Sequence, residues 1–393
     1  MLQVRALPRE RSGGSVDRVR DRARTDVMDA APPVSALVLA AAPGAAMRSE
    51  RPKPIHLLCG RPLLRYVLQA LADGGAHRAV VVTPPGADRI GKRILEDAPS
   101  LELQFIEQPS PRGSGDAALA GLTGFDDRDE EEEDILLVPG DIPLLQAATI
   151  EHLLAVHRNT DAACTVLSGT LEQPAGWDRL VRDRHGRVAS IVSSADVTSE
   201  EAANHEVALG LYVVRRSVLA PALRRLTPEL DAAPRYRLSD LVGVLASAGY
   251  PVSAAPIPGV DGVRAVDDRL QLAEAEHVLR QRTNQWWMAR GVTMVDPERT
   301  YIDATVELGR DVTLFPGTLL QGRTVVGDGC EIGPDTRLDG CVVGTSTVVE
   351  ATMARLARIG EHCRVGPFAV LEPGTEVPSG VVTGPFHVGR AES

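Results

Sequence analysis

From Ile302 onward one aliphatic residue returns every six positions: Ile302, Leu308, Leu314, Leu320, Val326, Ile332 and Leu338. A second set keeps a fixed offset from it: Val306, Val312, Thr318, Thr324, Cys330, Thr336 and Val342. Small turn residues often follow, as in LGRDV, VGDGC and IGPDT. A helix repeats every ~3.6 residues and a strand every ~2. A strict six instead predicts a left-handed parallel β-helix, in which each triangular coil takes three hexapeptides. The frame is expected to slip once near Gly344, resume at Val349, waver through ATMARLA, and run on through Ile359, Val365, Leu371 and Val377. The β-helix is assigned residues 297–393.

Residues 34–268 have another rhythm. VSALVLAA is a buried strand, PLLRYVLQALADGG a helix, HRAVVVTPPG a strand and turn, ADRIGKRILEDA a helix and LELQFIEQ a strand. SGDAALAGLTGF then reads as a helix and ILLVPGD as a strand. Such βαβα alternation predicts a doubly wound, Rossmann-like, mostly parallel sheet with ligands at the carboxyl ends of its strands. Residues 269–296 hold a connecting helix, RLQLAEAEHVLRQRTNQWWMAR, whose Trp286 and Trp287 are expected to pack or form an interface. Residues 1–33 are Arg-rich, carry acids that a targeting peptide lacks, and are expected to be a disordered extension. The acidic run at 126–134 reads as a solvated loop.

The bulk numbers exclude several classes. A net charge of −11 argues against a nucleic-acid partner. No apolar run approaches the ~20 residues of a membrane span. Five scattered cysteines without a CxxC argue against a disulfide framework or a zinc site and for the cytoplasm. Lysine is nearly absent: only Lys53 and Lys92 occur, against 40 arginines. A lysine kept in such a chain points to chemistry arginine does not do. Lys53 follows the first strand and a loop of small residues, where an α/β domain brings backbone N–H groups and one lysine onto phosphates.

With the β-helix and the connecting helix, several segments carry a resemblance: LAAAPGAAMRSERPKPIHLLCGRPLL, LVPGDIPLL, AVDDRLQLAEAE, GVTMVDPERTYID and RVGPFAVLEPGTEV. Residues ~34–388 resemble the bifunctional bacterial N-acetylglucosamine-1-phosphate uridylyltransferase/glucosamine-1-phosphate acetyltransferase family. The resemblance implies UTP and a sugar 1-phosphate as substrates, Mg²⁺ as cofactor, and a homotrimer formed through the β-helix. It implies Ala40, Gly44, Lys53, Gln108, Gly113 and Ser114 as nucleotide contacts, Gln108 reading uracil and Lys53 also being catalytic. Gly176 and Glu206 fall to the sugar and Asp141 and Asp267 to the metal. Asp267 stands where the family has asparagine, and an aspartate oxygen serves Mg²⁺ as well.

Departures are equally specific. The family loop reads LAAGxGTRM; here Ala42 replaces the first glycine, Pro43 follows, and Ala45-Ala46 replace Thr-Arg. The missing arginine binds the triphosphate, and Pro43 removes an N–H. Ser193 and Ala208 replace a sugar-binding glutamate and asparagine, and Asp178 a pocket glycine. Glu372 replaces a phosphate-binding arginine. The family's later catalytic histidine and acetyl-CoA coils correspond to no residue of this sequence, and His387 lies in the wrong motif, so no acetyl transfer is expected. The sequence therefore supports a sugar-1-phosphate nucleotidyltransferase, weakened or altered in specificity. The alternative is a degraded nucleotide-binding relative acting as a regulatory or scaffold subunit.

Overall fold

Val34–Leu39 is apolar at every position but Ser35, and the strand it forms is buried on both faces. Val34, Ala36 and Val38 face one core and Leu37 faces the other, the period-2 alternation of a strand. In the computed structural model, residues 34–391 are described except 43, 97–98, 126–132, 200 and 231–233; of 87, 88, 229 and 230 only the backbone is described. The extension at 1–33, Pro43 and most of the acidic run lie outside the described residues.

The central strand pairs in parallel with Arg78–Thr83 on one side and Asp134–Pro139 on the other. Across the main sheet the order is Val252–Ile257, Cys164–Thr170, Glu206–Arg215, Asp134–Pro139, Val34–Leu39, Arg78–Thr83 and Glu102–Glu107. Only Glu206–Arg215 runs against its neighbours on this path. The hairpin Arg179–Arg182 and Val188–Val192 pairs onto that reversed strand. Leu63–Asp73 and Ala147–Asn159 cover one face, whereas Ser114–Gly121, Arg216–Leu223 and Asp240–Ser247 cover the other. Each fully buried aliphatic side chain, such as Leu37 or Leu136, contributes about 1.5–3 kcal/mol. Gly121 lets its helix press onto the sheet; a Cβ there would lie 2.4 Å from Leu37 Cδ1.

The strand order reverses between Val34–Leu39 and Asp134–Pro139, since the chain first builds outward to Glu102–Glu107 and then returns. Such a switch point opens a crevice at the strands' carboxyl ends. Two segments leave the sheet there: the loop after Leu39, and Gly140-Asp141.

The connecting helix runs Arg269–Met288. Asp268 caps it, accepting from the Gln271 N–H, while the Gln271 side chain returns to the Asp268 N–H, a capping box. Trp287 packs half-buried on the β-helix core, whereas Trp286 is exposed and carries Arg290 over its ring at 3.5 Å.

Short parallel strands then stack in three sheets of six, six and five strands, as the six-residue repeat predicts for a left-handed β-helix. Tyr301 pairs with Leu319 and Leu319 with Arg337, one full coil at a time. The aliphatic set points inward, with Ile302, Leu314, Leu320, Val326, Ile332 and Leu338 all buried. The frame slips earlier than expected, and not once only: the inward places Val349, Ala354 and Ile359 also lie closer together than the six-residue repeat. Val342 is 38 % exposed, and Cys341 and Val343 take the inward places. The coil tightens by one residue at Asp339–Cys341, so Val325 pairs with Val342 rather than with Val343. Gly340, at φ +63°, makes that turn.

Candidate functional site

The loop after Leu39 is folded back upon Lys53. Gly44 sits at φ +62°, and a Cβ there would lie 2.9 Å from Lys53 Cβ. Glycine is thus required by both the left-handed backbone and the close approach. Ala45–Met47 makes one 3-10 turn that buries Met47 and leaves Ala45 and Ala46 exposed. Ala40 is buried beneath this loop, its N–H donated to the Val82 carbonyl at 2.8 Å.

Lys53 is 5 % exposed, and its Nζ donates to Asp141 Oδ2 at 2.6 Å and Asp267 Oδ1 at 2.7 Å. Three elements deliver these groups. Asp141 follows Gly140, whose N–H donates to Leu39 O and which has no room for a Cβ beside Ala40. Asp267 is placed by the Val266 N–H on Asp141 O at 2.9 Å and by Gln271 Oε1, which accepts its own N–H. Burial pushes the Lys53 ammonium down, but the Asp141 and Asp267 carboxylates outweigh it and hold the group above its ordinary value. Asp141 lies deeper than its partner; burial raises its carboxyl despite the lysine, and Asp267 adds to the rise.

Two carboxylates converging on one cation form a hard-oxygen donor set that suits Mg²⁺, with the lysine ammonium in the cation's place. Among the described residues no group of three or more His, Cys, Asp or Glu could hold a metal. A Mg²⁺ ion held here would take its other oxygens from water or phosphate, as that ion usually does.

Beside this cluster lies a cavity of about 540 Å³. Leu39, Ala41, Ala42, Gln108, Gly113 and Ser114 are among the residues that line it. Gln108 is 4 % exposed, and its N–H donates to Thr83 O, continuing the strand edge. Gly113 adopts φ +98°, and a Cβ there would lie 2.5 Å from Tyr236 O. Ser114 Oγ accepts from the Leu238 N–H at 3.0 Å. Asp141 and Asp178 bring carboxylates to the cavity, and Tyr212 and Arg235 also line it.

Lys53, Asp141 and Asp267 are therefore brought together, and Gln108, Gly113 and Ser114 gather at the adjoining cavity. Gly176 and Glu206 are not among its lining residues. Gly176 is exposed in a turn. The Glu206 carboxylate is held at both oxygens by Arg182, with Nε and Nη2 each at 2.7 Å, and accepts from Ser168 Oγ. Arg235 and Ser239 line the cavity although sequence reasoning missed them. Their segment is stitched on by Gly115 N–H to Tyr236 O and Tyr236 N–H to Arg112 O, both at 2.8 Å. The paired small residues Gly113 and Gly115 were the one signal that something packs there. Arg269, at the start of the long helix, reaches Met47 O from beneath the loop.

Residues 36–230 match a family model described as a MobA-like NTP transferase domain. The bifunctional protein GlmU of Trichlorobacter lovleyi is 38% identical over 353 residues, covering 90% of this chain and 75% of that protein. The one from Carboxydothermus hydrogenoformans is 36% identical over 350 residues, 89% of this chain and 76% of its own. The one from Mycobacterium tuberculosis is 38% identical over 352 residues, 89% of this chain and 70% of its own. With about nine-tenths of its length aligned at such identity, and with a nucleotidyltransferase sheet leading into a β-helix, the chain belongs to the GlmU family.

Proposed function

We propose that this nucleotidyltransferase moves a uridylyl group from UTP to a sugar 1-phosphate, more slowly than a member with an intact loop. The carrying observation is the Lys53–Asp141–Asp267 cluster at a switch-point crevice, beside a cavity walled by Gln108 and Gly113. A sugar phosphate oxygen attacks the α-phosphorus of UTP, the bond from that phosphorus to the bridging oxygen breaks, and pyrophosphate leaves. No covalent enzyme intermediate is required, so the protein's work is positioning and charge neutralisation. Gln108, Gly113 and Ser114 hold the base. Lys53 neutralises phosphate charge once it is released from its two carboxylates. Asp141 and Asp267 would hold Mg²⁺, whose chemistry is to neutralise the developing charge on phosphate oxygens. Asp178 and Tyr212, which line the cavity, are available to the sugar in this reading beside Gly176 and Glu206.

The weakening follows from Ala46, exposed where the loop arginine is missing. Loss of one such donor costs about 10²–10³ in rate. Acetyl transfer is no part of this reading, since Glu372 puts a carboxylate where a phosphate would need a cation. The β-helix carries a homotrimer. Five free, buried cysteines fit a reducing cytoplasm.

The test is pyrophosphate release from residues 28–393 with UTP, Mg²⁺ and a panel of sugar 1-phosphates, before and after Ala46→Arg. Release on at least one sugar, raised by the arginine, is expected. The exposed Ala45-Ala46 pair also favours a second reading, a nucleotide binder without turnover. A thermal shift with UTP and no release on any sugar would establish that reading in place of the first.

A further inference from the structure

A glutamine amide can ordinarily turn over and offer either its carbonyl or its NH₂ to a base. Gln108 cannot. Its Nε2 donates to Asp116 Oδ2 at 2.7 Å and to Gly113 O at 3.3 Å. A carboxylate and a carbonyl only accept, so both require the NH₂ and neither tolerates Oε1 in its place. Gln108 Oε1 accepts no hydrogen bond from the described residues, and Gln108 lines the cavity. Asp116 is pinned in turn: its other oxygen accepts from Arg112 Nη2 at 2.7 Å, and it sits in the first turn of the helix Ser114–Gly121. Asp116 does not line the cavity.

We propose that Asp116 sets the base specificity of this site. It is a positioning residue: by holding the Gln108 NH₂ it makes Gln108 Oε1 a fixed acceptor. A pyrimidine whose ring position 3 is brought to that oxygen must then carry an N–H there, as uracil does. Cytosine presents a lone pair at the same place, and two acceptors face each other with no proton between them. Specificity for uracil thus comes from a carboxylate that never touches the nucleotide. The inference rests on the nucleotide-binding reading of the cavity.

Asparagine at 116 loosens the constraint, because its own amide can donate to Gln108 Oε1 and leaves only the longer bond to Gly113 O, at 3.3 Å, to keep the Gln108 NH₂ from turning toward the base. The test is calorimetric titration of the whole chain with UTP and with CTP, in Mg²⁺ and without sugar phosphate. The unmodified protein is expected to prefer UTP, and Asp116→Asn to lower the UTP-to-CTP affinity ratio by about tenfold. Arg112→Gln, which frees Asp116 without removing it, is expected to lower the ratio less, and it serves if the first variant fails to fold. Equal weakening of both nucleotides in Asp116→Asn would make the role merely structural and overturn the inference. So would equal affinity for UTP and CTP in the unmodified protein, which leaves the nucleotide reading standing. Failure to bind either nucleotide would bring down that reading and the inference with it.

Discussion

Lys53 illustrates how much one side chain decides in this molecule. It is one of two lysines in the chain, and it is the cation that makes Asp141 and Asp267 compatible as neighbours. Lys53→Met leaves two carboxylates facing each other. Solvent around Asp267, 62 % exposed, keeps the stability loss to about 1–3 kcal/mol, below the figure for a fully buried pair. Calorimetric melting should show that loss, and Mg²⁺ should raise the melting temperature more in Lys53→Met than in the unmodified chain. An equal Mg²⁺ effect in both would place the metal elsewhere. Turnover is expected to fall by about 10²–10³ in the same variant. The partners of Lys53 were visible in the sequence as motif aspartates, but their joint grip on it was not, because their sequence separations say nothing about distance. The sheet order and the capping box at Asp268–Gln271 bring Asp141 and Asp267 to one nitrogen.

At the scale of elements, the long helix and the first β-helix coil close on the loop Cys59–Gly60. Ala304 N–H donates to Cys59 O at 2.9 Å, and a Cβ on Gly60 would lie 2.4 Å from Asp303 Oδ2. This junction gathers acids. Burial raises the Glu276 carboxyl, and Asp303 adds to the rise against the pull of Arg280. Burial likewise raises Asp303, and burial pushes the Cys59 thiol up to about 12, with Glu276 and Asp303 adding to the rise. A carboxyl raised on folding stabilises fully below its ordinary range and loses that contribution as pH rises through its raised value. At neutral pH the penalty is therefore in force. Glu276→Gln is expected to raise the melting temperature there, with the gain shrinking as the buffer is made acidic. A lower melting temperature at neutral pH would show that its contact with Arg280 outweighs the penalty. None of this was legible beforehand, since Glu276 reads as an ordinary helix-surface acid until the coil is laid against it.

For the whole molecule, the outer faces of the three β-helix sheets differ. One displays Tyr301, Leu319, Met353, Val370 and Val388 toward the outside, interrupted by Arg337, and four of these five apolar side chains are at least 40 % exposed. The trimer is expected to close over this face. Sedimentation should give three protomers, and Met353→Asp with Val370→Asp should release single chains; a monomeric unmodified protein would refute the trimer. The sequence by itself determined the two architectures, because strand alternation, helix period and the six-residue repeat are local patterns read within a few residues. It also pointed to Lys53, Asp141, Asp267, Gln108 and Gly113, which stand in local motifs. Tertiary structure alone decided where the coil tightens, that Glu206 is bound by Arg182, that Arg235 reaches the cavity, and that Asp116 orients Gln108. These depend on which side chains face one another across chain separations that no periodicity encodes.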